Sequence, residues 1–380
     1  MGGTSFDVSL VENCKNTLSA QTNIGFGMTI RTPMIEITTI GAGGGSIAKV
    51  DSTNLLQVGP ESAGSFPGPV CYGLGNDCPT VTDANVVLGR LQPDFALGGS
   101  LALDVPAAEQ AMDRLAQALG LTRQQAADGV LALANEHMTQ ALRVISIQKG
   151  FDPADFALMS FGGAGGLHVC ALADNLGMTQ AIVPQRAGVL SAEGLVYAPR
   201  KREMLQALPE QIDEPLLHER IAQLQQQGQA ELIAEGVSAD RIRHRVFVDM
   251  CYRGQSSVLQ IDWEPTLADR ETGFHTAHQQ RFGHQLGLPV EQVNLRVQSQ
   301  AQNSPPAQPD RHTRSASAER LITLPGIDTP VAVYNRESLG AGQRIAGPAL
   351  IYEAVGTTWL AANWHATVDS QGHLLLQRKA

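Results

Sequence analysis

The sequence predicts an α/β fold, because strand-like and helix-like segments alternate along it. The clearest unit consists of an apolar strand at Phe156–Phe161, a turn of sequence FGGAGG, a short helix at Leu167–Leu176 and a second apolar run at Ala181–Val183. This order is that of a parallel βαβ crossover. Alternating apolar residues near the beginning of the chain and capped helices further along it favour the same class.

The first strand is predicted at Phe6–Leu10, where apolar residues alternate with Asp7 and Ser9. This alternation is the period of a strand with one buried face. A second strand-like run, Met34–Ile40, leads into the glycine cluster GAGGGS. Residues 59–82 are dense in glycine and proline and predict a long loop of defined shape.

Two helices are predicted from their caps in the middle of the chain. Asp104 caps the first, which has Pro106 in its first turn. Thr122 and Gln125 form a capping box in front of the second. An apolar stripe at helical spacing follows that box and comprises Val130, Leu133, Ala134, Met138, Ala141, Val144 and Ile145.

The second half of the chain has weaker signals. A polar, glutamine-rich helix is predicted at 213–236, and strand-like runs follow it at 246–251 and 258–263. Residues 302–318 contain few apolar side chains and predict a flexible loop. After the loop, short apolar runs between glycines predict strands at 331–334, 348–352 and 357–361.

These changes of composition predict a division of the chain into four parts. Residues 1–205 form an α/β domain, 206–301 a connecting region of helices and strands, 302–318 the flexible loop, and 319–380 a small β-rich unit.

The composition excludes several function classes. A formal net charge of -10 over 380 residues argues against nucleic acid as a partner, because phosphate binding requires a basic surface. No apolar run approaches the roughly 18 residues of a membrane span. The five cysteines are scattered and odd in number, which argues against a disulfide framework and favours a reducing, cytoplasmic location.

Two groups of residues are considered as metal ligands. Cys71 and Cys78 are separated by six residues, which is longer than the spacing of a zinc knuckle, and two buried thiols are the alternative. His275, His278 and His284 have a spacing that suits either a metal or a charged helix face. The sequence favours the non-metal alternative in both cases.

Three glycine-rich turns are the main candidates for a binding site: Met1–Thr4, Gly41–Ser46 and Gly162–Gly166. Glycine lacks a Cβ, so that successive amide N–H groups can converge on an anion, and phosphate is the obvious candidate. Taken singly, each turn is more often a tight structural turn, and none matches the Walker pattern; three such turns in one half of the chain favour a phosphate site. Asp7 could organise Mg²⁺ through water, or it could be a solvated strand residue.

In this order, the segments MGGTSFDVSLV, TIGAGGGSIA, VGPESAGSFPGPVCYG, PTVTDANVVLGRL, SFGGAGGLHVCALADNLGM and GPALIYE resemble the hydantoinase/oxoprolinase family. That family includes ATP-dependent N-methylhydantoinase A subunits, 5-oxoprolinase and the matching subunit of acetone-type carboxylases. The resemblance covers nearly all of the chain. It implies the second half of an actin-like, ribonuclease-H-like ATPase fold with a β-rich tail.

The resemblance also implies roles for the glycine turns around ATP and Mg²⁺. A phosphate loop is implied at Gly2, Gly3, Thr4 and Ser5. The turn that cradles the nucleotide is implied at Gly162, Gly163, Gly165 and Gly166. Gly43, Gly44, Gly45 and Ser46 are expected to line the same cleft. His168 follows the nucleotide turn, either as a ligand contact or as a helix cap.

The implied activity is ATP-dependent hydrolysis of a cyclic amide, through phosphorylation of its ring carbonyl, together with a second, hydantoinase-B-type subunit. The alternatives are a subunit of an ATP-dependent ketone carboxylase and a non-catalytic chain. Family members usually have an aspartate directly before Met-Gly-Gly-Thr and a further phosphate loop upstream. The sequence is therefore expected to lack the amino-terminal half of the enzyme, and the isolated chain is expected to turn over ATP poorly.

Overall fold

The computed structural model describes residues 1–16, 18–19, 22–23, 28–30, 34–95, 101–255, 257–302 and 315–379. The described strands, in chain order, are β1 (Phe6–Val8), β2 (Val11–Glu12), β3 (Lys15–Asn16), β4 (Leu18–Ser19), β5 (Thr22–Asn23), β6 (Thr29–Ile30), β7 (Met34–Ile35), β8 (Thr38–Ile40), β9 (Ser46–Val50), β10 (Leu56–Ser62), β11 (Leu158–Met159), β12 (Gln180–Val183), β13 (Lys201–Ala207), β14 (Ile242–Tyr252), β15 (Leu259–Asp262), β16 (Val290–Ala301), β17 (Arg320–Ile322), β18 (Val331–Asn335), β19 (Arg344–Ala346), β20 (Ala349–Glu353), β21 (Gly356–Leu360), β22 (Trp364–Val368) and β23 (Leu374–Arg378). The described α-helices are α1 (Val81–Val87), α2 (Val105–Leu119), α3 (Arg123–Ile145), α4 (Val169–Asn175), α5 (Leu190–Tyr197), α6 (Glu214–Ala234) and α7 (Leu267–Phe282). The mixture of helices and sheets confirms the predicted α/β class.

The chain forms two compact units. The first comprises Met1–Thr17, Glu36–Glu193 and Ala307–Ala380, and the second comprises Leu18–Ile35 and Gly194–Pro306. This division shows which segments pack together, and it does not test whether a segment folds independently. The predicted division of the chain into four parts therefore stays a prediction. Of the predicted flexible loop, residues 303–314 lie outside the described residues.

In the first unit, helices α1, α2 and α3 pack against the amino-terminal strands. Strand β1 pairs with β8 in antiparallel register, with Asp7 opposite Thr39. Phe6 and Val8 are buried and Asp7 is half-buried, which is the alternation that the sequence predicts. Their side chains join a core with Met138 of α3.

The predicted caps are present at α2 and α3. Asp104 accepts a hydrogen bond from the amide of Ala107, at 3.0 Å. Thr122 and Gln125 exchange the reciprocal hydrogen bonds of a capping box, at 3.0 and 3.2 Å. The predicted stripe along α3 is largely buried, but Val144 is 37% exposed. Local capping signals therefore located both helix starts.

The βαβ crossover is also present, with shorter elements than predicted. Strands β11 and β12 are parallel, and Leu158 lies opposite Ala181. Between them, Gly165–Leu167 forms a 3-10 turn, and α4 begins only at Val169. The tail of the chain extends this sheet in the order β11-β12-β23-β22-β19. Residues 319–380 thus share a sheet with the crossover.

A second sheet from the tail has the order β17-β18-β20-β21, and its β18 and β20 are parallel. Its buried face contributes Leu350 and Trp359 to a core that also contains Leu167 and Cys71. The predicted strands at 331–334, 348–352 and 357–361 correspond to β18, β20 and β21.

The second unit is a four-stranded antiparallel sheet, β13-β16-β14-β15, with helices α6 and α7. Leu217 of α6 and Phe274 of α7 are buried against Met250 and Leu295 of the sheet. The predicted polar helix corresponds to α6, which Asp213 caps through the amide of Leu216. In the part of the chain that the structure describes, we find no helix with the length and apolarity of a membrane span.

Candidate functional site

The first two glycine turns lie against each other through their backbones. The amide of Gly44 donates to the carbonyl oxygen of Gly2 at 2.9 Å, and the amide of Gly45 donates to that of Gly3 at 2.6 Å. These two turns are separated by about forty residues in the chain, and β1 and β8 bring them together because each turn adjoins one of the paired strands.

The third glycine turn meets the first at Met1. The nitrogen of Met1 donates to the carbonyl oxygen of Phe161 at 2.8 Å. The carbonyl oxygen of Met1 accepts from the amide of Ala164 at 3.3 Å. All three predicted turns therefore converge, and Met1 connects the first turn to the third.

Glycine is required where these turns touch. A Cβ on Gly43 would lie 2.5 Å from the carbonyl carbon of Gly3, closer than carbon atoms approach in real structures. Gly162 has a φ of +83°, and a Cβ there would overlap the carbonyl oxygen of Met1. At these two positions the absence of a side chain permits the contact between turns.

The first turn lies at the surface of the protein. Gly2, Gly3 and Thr4 are exposed. The amide of Gly2 donates to the carbonyl oxygen of Ser5 at 3.1 Å. Within the described residues, no acceptor contacts the amides of Gly3, Thr4 or the exposed Gly163. Exposed amides that lack a protein acceptor fit an anionic group such as a phosphate.

The second turn has a different environment. Gly43, Gly44, Gly45 and Ser46 are buried. Gly43 donates to the Oγ atom of Ser46 at 2.9 Å, and the amide of Ser46 donates to the carbonyl oxygen of Gly43 at 3.1 Å. Since the amides of Gly44 and Gly45 bond to the first turn, the amide N–H groups of this segment are all used within the protein. The segment therefore supports the first turn through two backbone hydrogen bonds.

Asp7 lies on β1 beside the first turn, and two hydroxyl groups hold its carboxylate. Thr39 donates to Oδ1 at 2.7 Å, and Ser5 donates to Oδ2 at 3.2 Å. Each carboxylate oxygen has a further lone pair. Across the described ranges, no group of three or more His, Cys, Asp or Glu side chains could hold a metal ion.

Sequence reasoning did not single out Asp83, which organises the proline-rich loop beside the site. This fully buried carboxylate accepts from the amides of Val70, Cys71 and Thr80, and from the Thr80 hydroxyl, at 2.7 to 3.1 Å. Thr80 and Asp83 also form the capping box of α1. The Thr-x-x-Asp spacing within PTVTDA was the available signal.

Thr82 connects that helix to the second turn. Its amide and its hydroxyl both donate to the carbonyl oxygen of Gly44, at 2.8 and 2.9 Å. The loop that Asp83 fixes is therefore attached to the glycine turns through the first residues of α1.

His168 is buried at the N-cap position of α4, but its side chain makes no capping hydrogen bond. Its Nδ1 atom lies 2.7 Å from Oδ1 of Asn135 on α3. Burial, with smaller contributions from Arg90 and the amino group of Met1, lowers the pKa of His168 to about 3. The imidazole is therefore neutral at physiological pH, and its Nε2 atom contacts no polar partner in the described part of the chain.

We expect this buried histidine to make folding sensitive to acid. In the unfolded chain its pKa is about 6.5, so the unfolded state binds a proton that the folded state excludes. Stability is complete above pH 6.5 and falls as the pH drops toward the folded value of about 3. The free energy of unfolding can be measured in urea at pH 7 and at pH 5. Between these two pH values, wild type should lose about 2 kcal/mol more than His168→Gln. The exposed His137 of α3 provides the control His137→Gln, and parallel pH profiles of wild type and His168→Gln would contradict the expectation.

The surroundings of the other residues considered as metal ligands indicate structural roles. His278 is buried against Tyr252 and Phe282, so the predicted charged helix face does not extend to it. Cys71 is buried whereas Cys78 is exposed. Burial and the neighbouring Asp83 raise the pKa of the Cys71 thiol. The thiol therefore stays protonated and is a poor metal ligand.

Comparison with known proteins decides the family. Residues 1–203, more than half of the chain, match the family model described as hydantoinase/oxoprolinase. The chain belongs to the hydantoinase/oxoprolinase family. The matched region contains all three glycine turns of the site.

Members of this family resemble the chain along its length. Caprolactamase subunit alpha from Pseudomonas jessenii is 36% identical over 97% of the chain and 56% of the relative. The crystal structure of the ATP-dependent caprolactamase from Pseudomonas jessenii has a TM-score of 0.82 at 34% identity, over 100% of the chain and 58% of that structure. A nucleotide-free structure of acetone carboxylase, described as catalysing ATP-dependent acetone carboxylation, has a TM-score of 0.82 at 26% identity, over 100% and 57%. The chain thus spans a little over half the length of these relatives.

Proposed function

We propose that the chain forms the nucleotide-binding part of an ATP-dependent enzyme that opens a cyclic amide. The observation that carries the proposal is the convergence of three glycine turns, in which the exposed residues Gly3, Thr4 and Gly163 have amides without acceptors among the described residues. Membership of the hydantoinase/oxoprolinase family and the description of similar proteins as ATP-dependent support ATP as the ligand.

The proposed chemistry follows from the inertness of the substrate. A cyclic amide resists water because its carbonyl is conjugated and its nitrogen is a poor leaving group. Bound ATP would transfer its terminal phosphoryl group to the exocyclic carbonyl oxygen and leave as ADP. Water can then add to the phosphorylated carbon, the ring C–N bond breaks with protonation of the nitrogen, and hydrolysis releases the phosphate. The chain's own contribution is to hold the nucleotide and to neutralise its charge.

Each turn has its own role in this proposal. Within residues 2–5, the amides of Gly3 and Thr4 bind the phosphates, because the amide of Gly2 is bonded to Ser5, and residues 162–166 hold the nucleoside side. Because the amides of residues 43–46 are used within the protein, we assign that segment to support of the first turn and not to ligand contact. Asp7 would bind Mg²⁺ through water, since its carboxylate is half-exposed and retains acceptor capacity.

The architecture and partners of the proposed enzyme extend beyond this chain. We propose that residues 1–205 form the second half of an actin-like ATPase fold. A further polypeptide segment would complete the cleft, and a hydantoinase-B-type subunit would receive the activated ring. Similarity to a protein described as a subunit alpha supports a multi-subunit assembly.

A ketone carboxylase subunit is the second candidate. Its support is the equal TM-score, 0.82, with the acetone carboxylase structure. A ketone can be activated as an enol phosphate and then carboxylated, so the same nucleotide site serves either reaction. The deciding experiment is ADP release by the chain together with the segment that completes the cleft and the partner subunit. Caprolactam or 5-oxoproline should stimulate it in a hydrolase, whereas a carboxylase would respond to a ketone with bicarbonate, and a non-catalytic chain would respond to neither.

We expect Gly3→Val to abolish binding of Mg-ATP without unfolding the protein. No described atom lies within 4 Å of a Cβ at Gly3, and its φ is outside the left-handed region. Valine therefore fits the folded protein, but its branched side chain blocks the approach of an anion to the amides. Calorimetric titration should show affinity weakened at least tenfold, which corresponds to about 1.4 kcal/mol.

Gly287→Val is the matched control for this experiment. Gly287 is also exposed, and a Cβ there likewise meets no described atom within 4 Å. Its substitution should leave ATP affinity and the melting temperature unchanged. Unaltered ATP binding by Gly3→Val would remove the first turn from the site.

A further inference from the structure

The tail hairpin formed by β20 and β21 touches the nucleotide turn. A Cβ on Gly163 would lie 3.1 Å from the carbonyl oxygen of Val355, the residue before β21. A Cβ on Gly188 would overlap the same oxygen. The tip of the hairpin therefore lies against the turn at 162–166 and against the turn at 186–189.

The back of the nucleotide turn also rests on this hairpin. A Cβ on Gly166 would lie 2.6 Å from the carbonyl oxygen of Thr357 and 2.9 Å from Oγ1 of Thr358. Leu167 continues the contact in the core that contains Trp359. Gly163 is exposed and Gly166 is buried, so the hairpin covers one end of the turn and leaves Gly163 at the surface.

A buried ion pair anchors the hairpin. Arg336 is 2% exposed, and it donates to the carbonyl oxygen of Val183 at 2.6 Å and to that of Gly372 at 3.2 Å. It also donates to Oε1 of Glu353 at 3.2 Å. Arg336 thus connects Glu353, at the end of β20, to the last residue of β12.

The same carboxylate reaches the nucleotide turn through two further hydrogen bonds. Oε2 of Glu353 accepts from the amide of Arg186 at 3.3 Å. Arg186 has a left-handed φ of +57°. The next residue, Ala187, accepts from the amide of Gly162 at 2.8 Å. A continuous set of contacts therefore leads from the buried arginine to the first glycine of the turn.

We propose that Glu353 is a positioning residue of the nucleotide site, and that the tail hairpin sets the conformation of residues 162–166. This inference rests on the proposed function, because it assigns the nucleoside side of ATP to that turn. The carboxylate acts through Arg186 and Ala187 and does not itself contact the ligand. The tail of the chain is thereby part of the nucleotide site.

Glu353→Ala tests this role against two ligands. Loss of the carboxylate loosens the turn at 162–166 but leaves residues 2–5 in place. Affinity for Mg-ATP should fall about tenfold, whereas affinity for inorganic triphosphate should stay within about twofold. Glu353→Gln should restore most of the ATP affinity, because its amide oxygen can accept one of the two hydrogen bonds. Equal losses for both ligands, or no loss for ATP, would overturn the proposal.

A measurement without ligand separates this inference from the proposed function. Deuterium exchange at the amides of residues 162–166 should accelerate at least tenfold in Glu353→Ala. A tenfold acceleration corresponds to a loss of about 1.4 kcal/mol of local stability. The exposed Glu337 of the same tail provides the control Glu337→Ala. If wild type binds no ATP but the exchange accelerates, the proposed function fails, and only the control of the conformation of residues 162–166 by Glu353 stands. If exchange at 162–166 is unchanged, the positioning role fails.

Discussion

Gly162→Ala should lose binding of Mg-ATP and fold with greatly reduced stability. The backbone at Gly162 has a φ of +83°, which costs an alanine roughly 1–2 kcal/mol. In addition, the new Cβ would overlap the carbonyl oxygen of Met1, and neither backbone can move without breaking the contact between the first and third turns. We expect a total cost of about 3 kcal/mol or more in urea unfolding.

Gly177→Ala is the control that separates the cost of a left-handed backbone from the cost of the steric overlap of the new Cβ. Gly177 has a similar φ of +69°, but no described atom lies within 4 Å of its Cβ position. This variant should show only the cost of the left-handed backbone, about 1–2 kcal/mol, with ATP binding retained. Equal destabilisation of the two variants would mean that the close contact at Met1 does not constrain the turn.

Asp83→Ala should produce the second large effect. The substitution leaves the amides of Val70, Cys71 and Thr80 without their acceptor inside a fully buried site. Each unsatisfied buried donor costs about 1–3 kcal/mol, so a total loss of about 3–5 kcal/mol is expected. The measurement is the free energy of unfolding, together with proteolysis within the loop at 59–82, which should become faster.

Asp51→Ala provides a matched control for Asp83. Asp51 also accepts several hydrogen bonds, from the amides of Thr53 and Leu55 and from the Thr53 hydroxyl, but these contacts are exposed to solvent. Water replaces the lost acceptor there, so the cost should stay below about 1 kcal/mol. A loss for Asp83→Ala as small as that of the control would show that the loop does not depend on the buried carboxylate.

Helix starts could be predicted from the sequence because capping acts within a few residues. Thr122 and Gln125 are three residues apart, and their two side chains satisfy each other's backbone groups irrespective of the rest of the fold. Strand lengths could not be predicted in this way. The predicted strand at Phe156–Phe161 is observed only as β11, since partners elsewhere in the chain decide where pairing stops.

The sequence predicted which turns make up the candidate site, but it did not predict how their backbones contact one another. The sequence located all three glycine turns, and the family resemblance indicated that they share a ligand. It also predicted that Gly43 to Ser46 line the cleft, although their amides are used within the protein. The sequence could not show which amides find acceptors in the protein. The amides of Gly44 and Gly45 donate to the carbonyl oxygens of Gly2 and Gly3, which lie about forty residues away.

The sequence by itself determined the α/β class, the capped helices, the crossover and the family. Tertiary structure alone decided that Met1 connects the first and third turns, that Asp83 fixes the neighbouring loop, and that Glu353 accepts a hydrogen bond from the amide of Arg186. The physical reason is the range of the interactions. Caps and turns are satisfied within a few residues, whereas the contacts of the site join groups that are up to 167 residues apart.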